Sequence, residues 1–118
     1  MDISDMYDYC RNRPGVTEGF PFGADVLVFK VSGKMFALVN LDTKPVHLNL
    51  KCDPERAVEL RETHEDVMPG YHMNKQHWNT LNLDGALDIR LVRELIDHSY
   101  ETVVASLTAK ARRALRQS

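Results

Sequence analysis

The sequence predicts an α+β fold, an antiparallel sheet packed by helices in a two-layer sandwich. Three observations carry this reading. The runs VLVFKV and KMFALVNL are separated by Ser32-Gly33 alone, a two-residue connection typical of a hairpin. Asp53-Pro54-Glu55 supplies an N-cap, a proline at the first helical position and an acid in the first turn, so a helix starts there. Leu91, Val92, Leu95, Ile96, Ser99, Val103 and Leu107 keep the helical period over about five turns. Hairpins adjacent in sequence and flanked by helices pack as a sheet with helices outside it.

The elements follow in order. Ile3, Met6, Tyr7 and Cys10 recur at helical spacing, with Asp2 placed to cap and Pro14-Gly15 to stop the helix. Residues 15–23, with the string GFPFG, read as a loop. Residues 26–50 read as three antiparallel strands. In the first hairpin Val31 is expected to face Lys34, Phe29 to face Phe36 and Leu27 to face Leu38, on one shared face. The opposite face (Val26, Val28, Met35, Ala37, Val39) is nearly as apolar and should be partly covered. Asp42 to Pro45 connects to PVHLNLK, whose Val46, Leu48 and Leu50 alternate with polar residues and point to the core. The helix from Asp53 should run to about His64, with Glu55, Glu59, Glu62 and Asp66 as a solvated acidic stripe. An irregular stretch, VMPGYHMNKQHW, leads into a strand, NTLNLD. Asp84 or Asp88 opens the longest helix, and Thr108 caps a short final one.

Composition limits the classes of function. With 118 residues, 43% hydrophobic and 27% charged, the chain has the size and makeup of one folded domain, 1–118. No apolar run approaches the ~20 residues that cross a bilayer, and the acidic start MDISDMYDYC is not a secretory signal. A cytoplasmic location with no membrane partner is expected. Cys10 and Cys52 lie outside any CxxC or Cys/His pattern and are expected to be inert, partly buried thiols. The net charge of −2 is not that of a strong, non-specific nucleic-acid binder. Four of the fifteen bases and none of the seventeen acids lie in 108–118, so that tail carries +4 and the rest −6. A basic helix end is favoured by the helix dipole, and the same arginines could contact phosphate.

One segment concentrates side chains suited to binding. Tyr71, His72, Asn74, Lys75, His77 and Trp78 fall within eight positions outside any periodic element. Aromatic and imidazole rings offer stacking surfaces, asparagine offers bidentate amide bonding, and lysine neutralises phosphate. The same residues would anchor a protein partner. The plainer readings are a buried Trp78 at the start of a strand and an Asn74-Lys75 turn. His72 and His77 have no third ligand at a helpful spacing, so no metal is expected. GxSxG, HExxH, GxxxxGKS/T and GxGxxG are all missing, and the chain reads as non-enzymatic with no cofactor.

The strings PFGADVLVFKVSGKMFALVNL, NLKCDPERAVELR, VMPGYHMNKQHWNTLNLDG and LVRELIDHSYETVVASL resemble the MmcQ/YjbR family along nearly the whole chain. HMNKQHW is the most specific match. The resemblance implies a CyaY-like (frataxin-like) sandwich and a DNA-binding domain of double-wing type, with hairpin turns as wings. Here the wing tips would be Ser32-Gly33 and Asp42 to Pro45, with Lys30, Lys34 and Lys44 at or near them. Phosphate contacts would come from these lysines and from Arg112, Arg113 and Arg116, with the 71–78 segment giving more specific contact. The alternative is an adaptor for a protein or small ligand. The frataxin likeness also suggests weak iron binding by Asp2, Asp5 and Asp8, against the plainer reading of acids at a helix N-terminus.

Overall fold

Residues 1–70 and 73–117 are described by the structure, a computed structural model. They form α1 (Ile3–Arg11), β1 (Val16–Gly19), β2 (Val26–Val31), β3 (Lys34–Asn40), β4 (His47–Lys51), α2 (Pro54–Thr63), β5 (Val67–Pro69), β6 (Trp78–Asn82), α3 (Ile89–Ala105) and α4 (Ala109–Arg116). The strands make one antiparallel sheet in the order β1-β2-β3-β4-β6-β5. The predicted α+β class and its helix and hairpin order are observed. Asp2, Asp53, Asp88 and Thr108 each cap the helix that follows, their side chains accepting a backbone N–H from the first turn.

Two edge strands escaped the sequence reading. Val16–Gly19, expected in a loop, pairs with β2, and Val67–Pro69, expected in the irregular stretch, pairs with β6. Both are short, and neither carries a run of alternating apolar residues, so sheet pairing rather than local pattern makes them strands. Asp66 leaves the acidic stripe for a structural role. Its carboxylate accepts from Asn82 Nδ2 and from the Ala86 backbone N–H, tying the α2–β5 corner to the β6–α3 connection.

The β2–β3 turn has Ser32 and Gly33 both at positive φ, 50° and 79°, as a two-residue hairpin of matching twist requires. Val31 faces Lys34 as expected, but a bulge lies beyond it. Lys30 pairs with Met35 and Phe29 with Ala37, which leaves Phe36 as the extra residue. The expected pairs Phe29–Phe36 and Leu27–Leu38 are therefore replaced by Phe29–Ala37 and Leu27–Val39. The bulge keeps Phe36, Ala37 and Val39 in the main core and sends Leu38 to the opposite face beside Val28.

That shift defines the two layers. On one face Leu27, Phe29, Val31, Val39, Leu48, Leu50 and Leu81 pack against Met6 and Cys10 of α1, Ala57 and Leu60 of α2, and Val92, Leu95, Ile96 and Val103 of α3. Ser99 joins helix to sheet at the bulge. Its fully buried hydroxyl donates to the Phe36 carbonyl and accepts the Lys51 backbone N–H at 2.9 Å. A second polar tie fixes α1, where Tyr9 Oη and Arg13 both donate to Asp97 of α3, at 2.7 and 2.8 Å. Among the described residues no helix covers the opposite face. It holds only a small cluster of Val28, Leu38 and Trp78, flanked by Val26, Met35 and Met73.

Candidate ligand-binding face of the sheet

Strand alternation dictates what the helix-free face displays. Two cross-strand rows run along it. The first is Val28–Leu38–Asn49–Thr80–Met68 and the second is Val26–Asn40–His47–Asn82. Each row is apolar on β2 and polar on β4 and β6, with Met68 of β5 apolar again at the far edge of the first. Phe22, from the β1–β2 connection, and Met73 and Asn74, from the β5–β6 connection, stand beside the rows. Together with Val26, Met35, Leu38, Asn40, His47 and Asn49 they enclose a trough of about 510 Å³. That volume lies within the ~300–1,000 Å³ of small-molecule sites. Among the described residues no lysine, arginine, aspartate or glutamate lines it.

The polar groups of the trough are held by identifiable bonds. Asn49 Oδ1 accepts from the Thr80 hydroxyl at 2.5 Å. Asn74 Oδ1 accepts from the Gln76 backbone N–H at 2.9 Å, and the Asn74 carbonyl accepts from the N–H groups of His77 and Trp78. Asn74 therefore caps a turn, as its type favours. Phe22 at the trough is 62% exposed, and Phe20, two residues earlier in the same connection, is 51% exposed.

The residues singled out in the sequence are dispersed. Tyr71 and His72 lie outside the described residues. Asn74 lines the trough, whereas Trp78 is buried in the cluster beneath it with Val28, Leu38 and Met73. Lys75 bends back, its ammonium donating to the Gly70 carbonyl at 3.3 Å. His77 faces another groove, beside Cys52, Asp53 and His98. Lys30 stands on the open face near Phe20 and Pro21. Lys34 turns to the helix side and donates to Ser106 Oγ at 3.4 Å. Lys44 lies past the other end of β3, about seven residues away, or roughly 20 Å at strand rise. Successive hairpin turns must fall at opposite ends of an antiparallel sheet, so the two wing tips do not adjoin. Arg112 donates to the Ala105 and Leu107 carbonyls and closes the end of α3, while Arg113 and Arg116 are exposed on α4. Asp2, Asp5 and Asp8 remain exposed on α1, and among the described residues no three His, Cys, Asp or Glu side chains gather as a metal site.

The sequence reading missed Phe22, Val26, Met35, Leu38, Asn40, His47 and Asn49 as a site. The alternation of HLNLK signals a strand with an amide and an imidazole on its outer face. Nothing in sequence reports that no helix covers that face.

Cys10 and Cys52 are both free and buried. Burial pushes the Cys10 thiol up to about 12, and burial raises Cys52 as well. Because the thiolate is the reactive species, iodoacetamide at pH 8 should leave Cys10 unmodified in the native protein and alkylate it in denaturant. Intact mass spectrometry reads the difference.

A two-layer α+β domain built on one six-stranded antiparallel sheet defines the structural class. The YjbR family model matches residues 11–102. The chain belongs to the YjbR family. It is 36% identical over 118 residues to the uncharacterized protein YjbR of Escherichia coli K12, covering 99% of both chains. It is 34% identical over 120 residues to the uncharacterized protein YbdF of Escherichia coli O157:H7, covering 98% of each. The crystal structure of Deinococcus radiodurans protein DR2400, a DUF419 domain, superposes with a TM-score of 0.90 at 40% identity, over 96% of this chain and 86% of that one. Among the described residues no helix is long and apolar enough to cross a membrane.

Proposed function

We propose that this chain acts by binding rather than by catalysis, and that its site is the trough on the helix-free face. The observation that carries the reading is an uncharged apolar floor bordered by Asn40, His47, Asn49 and Asn74, with an exposed Phe22 at its mouth. Such a surface suits a small ligand that offers one flat apolar side and a polar edge. It suits a DNA backbone less well, because phosphates need gathered cations. Here only Lys34 and Arg112 come together, at the end of α3 around Ser106, while Lys30 stands on the open face and Lys44 past the other end of β3. The two unpaired thiols support a reducing, cytoplasmic setting.

The test is a ligand-observed NMR screen of uncharged aromatic fragments, run on the native chain and on Phe22→Ala and Val26→Lys. Phe22 is mostly exposed, so its truncation should leave the fold intact. It should weaken the hits about tenfold, the equivalent of about 1.4 kcal/mol. Val26→Lys should abolish them. Hits that persist in both variants, or no hits at all, would contradict the reading. Anisotropy of labelled duplex and single-stranded DNA across a salt series is the parallel arm. Binding at low salt that Lys30→Ala weakens would return the face to nucleic acid.

A further inference from the structure

The amides of the trough share one polarity. Asn49 gives its oxygen to the Thr80 hydroxyl and Asn74 gives its oxygen to the Gln76 N–H. Asn40 has its oxygen buried and without a hydrogen-bond partner, though the residue lines the trough. The Asn49 and Asn74 oxygens each accept within the protein and the Asn40 oxygen is buried, which leaves the NH₂ groups as the edges most free to meet a ligand. No described hydrogen bond uses any of these three nitrogens as donor. An asparagine is ordinarily ambivalent, with two donors and an acceptor of equal reach. Three of them set in one sense make a wall of donors beside an apolar floor.

From this geometry we infer the class of ligand, an inference that rests on the trough being the binding site. The ligand is an uncharged molecule with a flat apolar body that presents carbonyl-type acceptors along one edge. Donor-rich edges are disfavoured because they would meet the N–H groups of Asn40, Asn49 and Asn74, where neither side satisfies the other. A carboxylate satisfies the donors but is disfavoured for a different reason. Among the described residues no lysine or arginine lines the trough, and burying an unpaired charge costs more than neutral amides return. Met35, Met73 and Phe22 supply the apolar contact, the methionines adapting to an aromatic face.

Nitrogen-15 correlation spectra resolve side-chain NH₂ groups, so the inference can be read at the atoms that carry it. Three probes of similar size separate the outcomes. 1,3-Dimethyluracil has two carbonyls and no N–H, benzoate has a charged acceptor pair, and indole has a donor and no acceptor. 1,3-Dimethyluracil is expected to shift the NH₂ signals of Asn40, Asn49 and Asn74 together, with benzoate at least tenfold weaker. Asn49→Asp and Asn74→Asp each keep the oxygen that accepts from Thr80 or Gln76 but exchange the donor for an acceptor. Each should weaken 1,3-dimethyluracil about tenfold while leaving backbone signals elsewhere in place. If indole binds the trough as well as 1,3-dimethyluracil does, or the aspartate variants bind it unchanged, the ligand class is wrong although the site stands. If none of the three moves any trough signal, the site itself is wrong.

Discussion

Phe36→Ala will cost about 3–5 kcal/mol, the range for deleting a buried phenylalanine ring. The ring is fully buried, packs edge-on to Tyr100 at 5.4 Å and sits 6.4 Å from Phe29. It is also the residue the bulge adds to β3, so no strand partner can move in to fill the space. Against a total stability of about 5–15 kcal/mol for a domain, the loss leaves the chain marginal. Urea denaturation followed by far-ultraviolet circular dichroism measures it. A change below about 1 kcal/mol would mean that the bulge does not lock this ring into the core. Phe22→Ala, a like change of residue at an exposed position, should be near neutral in the same assay.

Ser99→Ala is the second large effect, expected at about 3 kcal/mol although only one oxygen is removed. Two backbone groups lose their partner, the Phe36 carbonyl at the bulge and the Lys51 N–H at the end of β4. Each buried polar group left unsatisfied costs about 1–3 kcal/mol. Ser99→Thr keeps the hydroxyl and should recover part of the loss if the added methyl is accommodated. Hydrogen exchange gives the specific signature, since the Lys51 amide should lose protection in Ser99→Ala more than its neighbours in β4. Unchanged protection there would show that the serine is not the tie between α3 and the sheet.

Much of the fold was legible because its signals are local. The capping aspartates, the Ser32-Gly33 turn and the apolar stripe of α3 each announce an element within a few residues. Ser99 even appeared in that stripe, as a small residue on a buried face. The bulge was not legible. FKVSGKMF carries no glycine or proline at the extra residue, and two registers place similar apolar side chains opposite each other. The observed register is held in part by the Ser99 hydroxyl, 63 residues from Phe36 in sequence. The edge strands were hidden for a related reason, since their pairing partners rather than their own residues make them strands.

The site was less legible than the fold. Clustering by sequence pointed to 71–78, and of its described residues Met73 and Asn74 line the trough, while Trp78 packs in the adjoining cluster. The remaining lining residues come from four other segments brought together by the sheet. An asparagine on the outer face of a strand looks like ordinary surface until the covering layer is known to be missing. The lysines mislead in the opposite way. Their nearness to two turns suggests one surface, whereas antiparallel topology sets those turns at opposite ends.

Trp78 offers the most direct check on the helix-free face as the binding site. It is the only tryptophan in the chain, and it packs with Leu38 and Met73, which also line the trough. Titration with 1,3-dimethyluracil should change its emission in a saturable way. The midpoint should rise about tenfold in Phe22→Ala, with the thermal midpoint of the free variant unmoved. Emission that stays constant while the same probe raises the thermal stability of the native chain would place binding elsewhere and contradict this assignment.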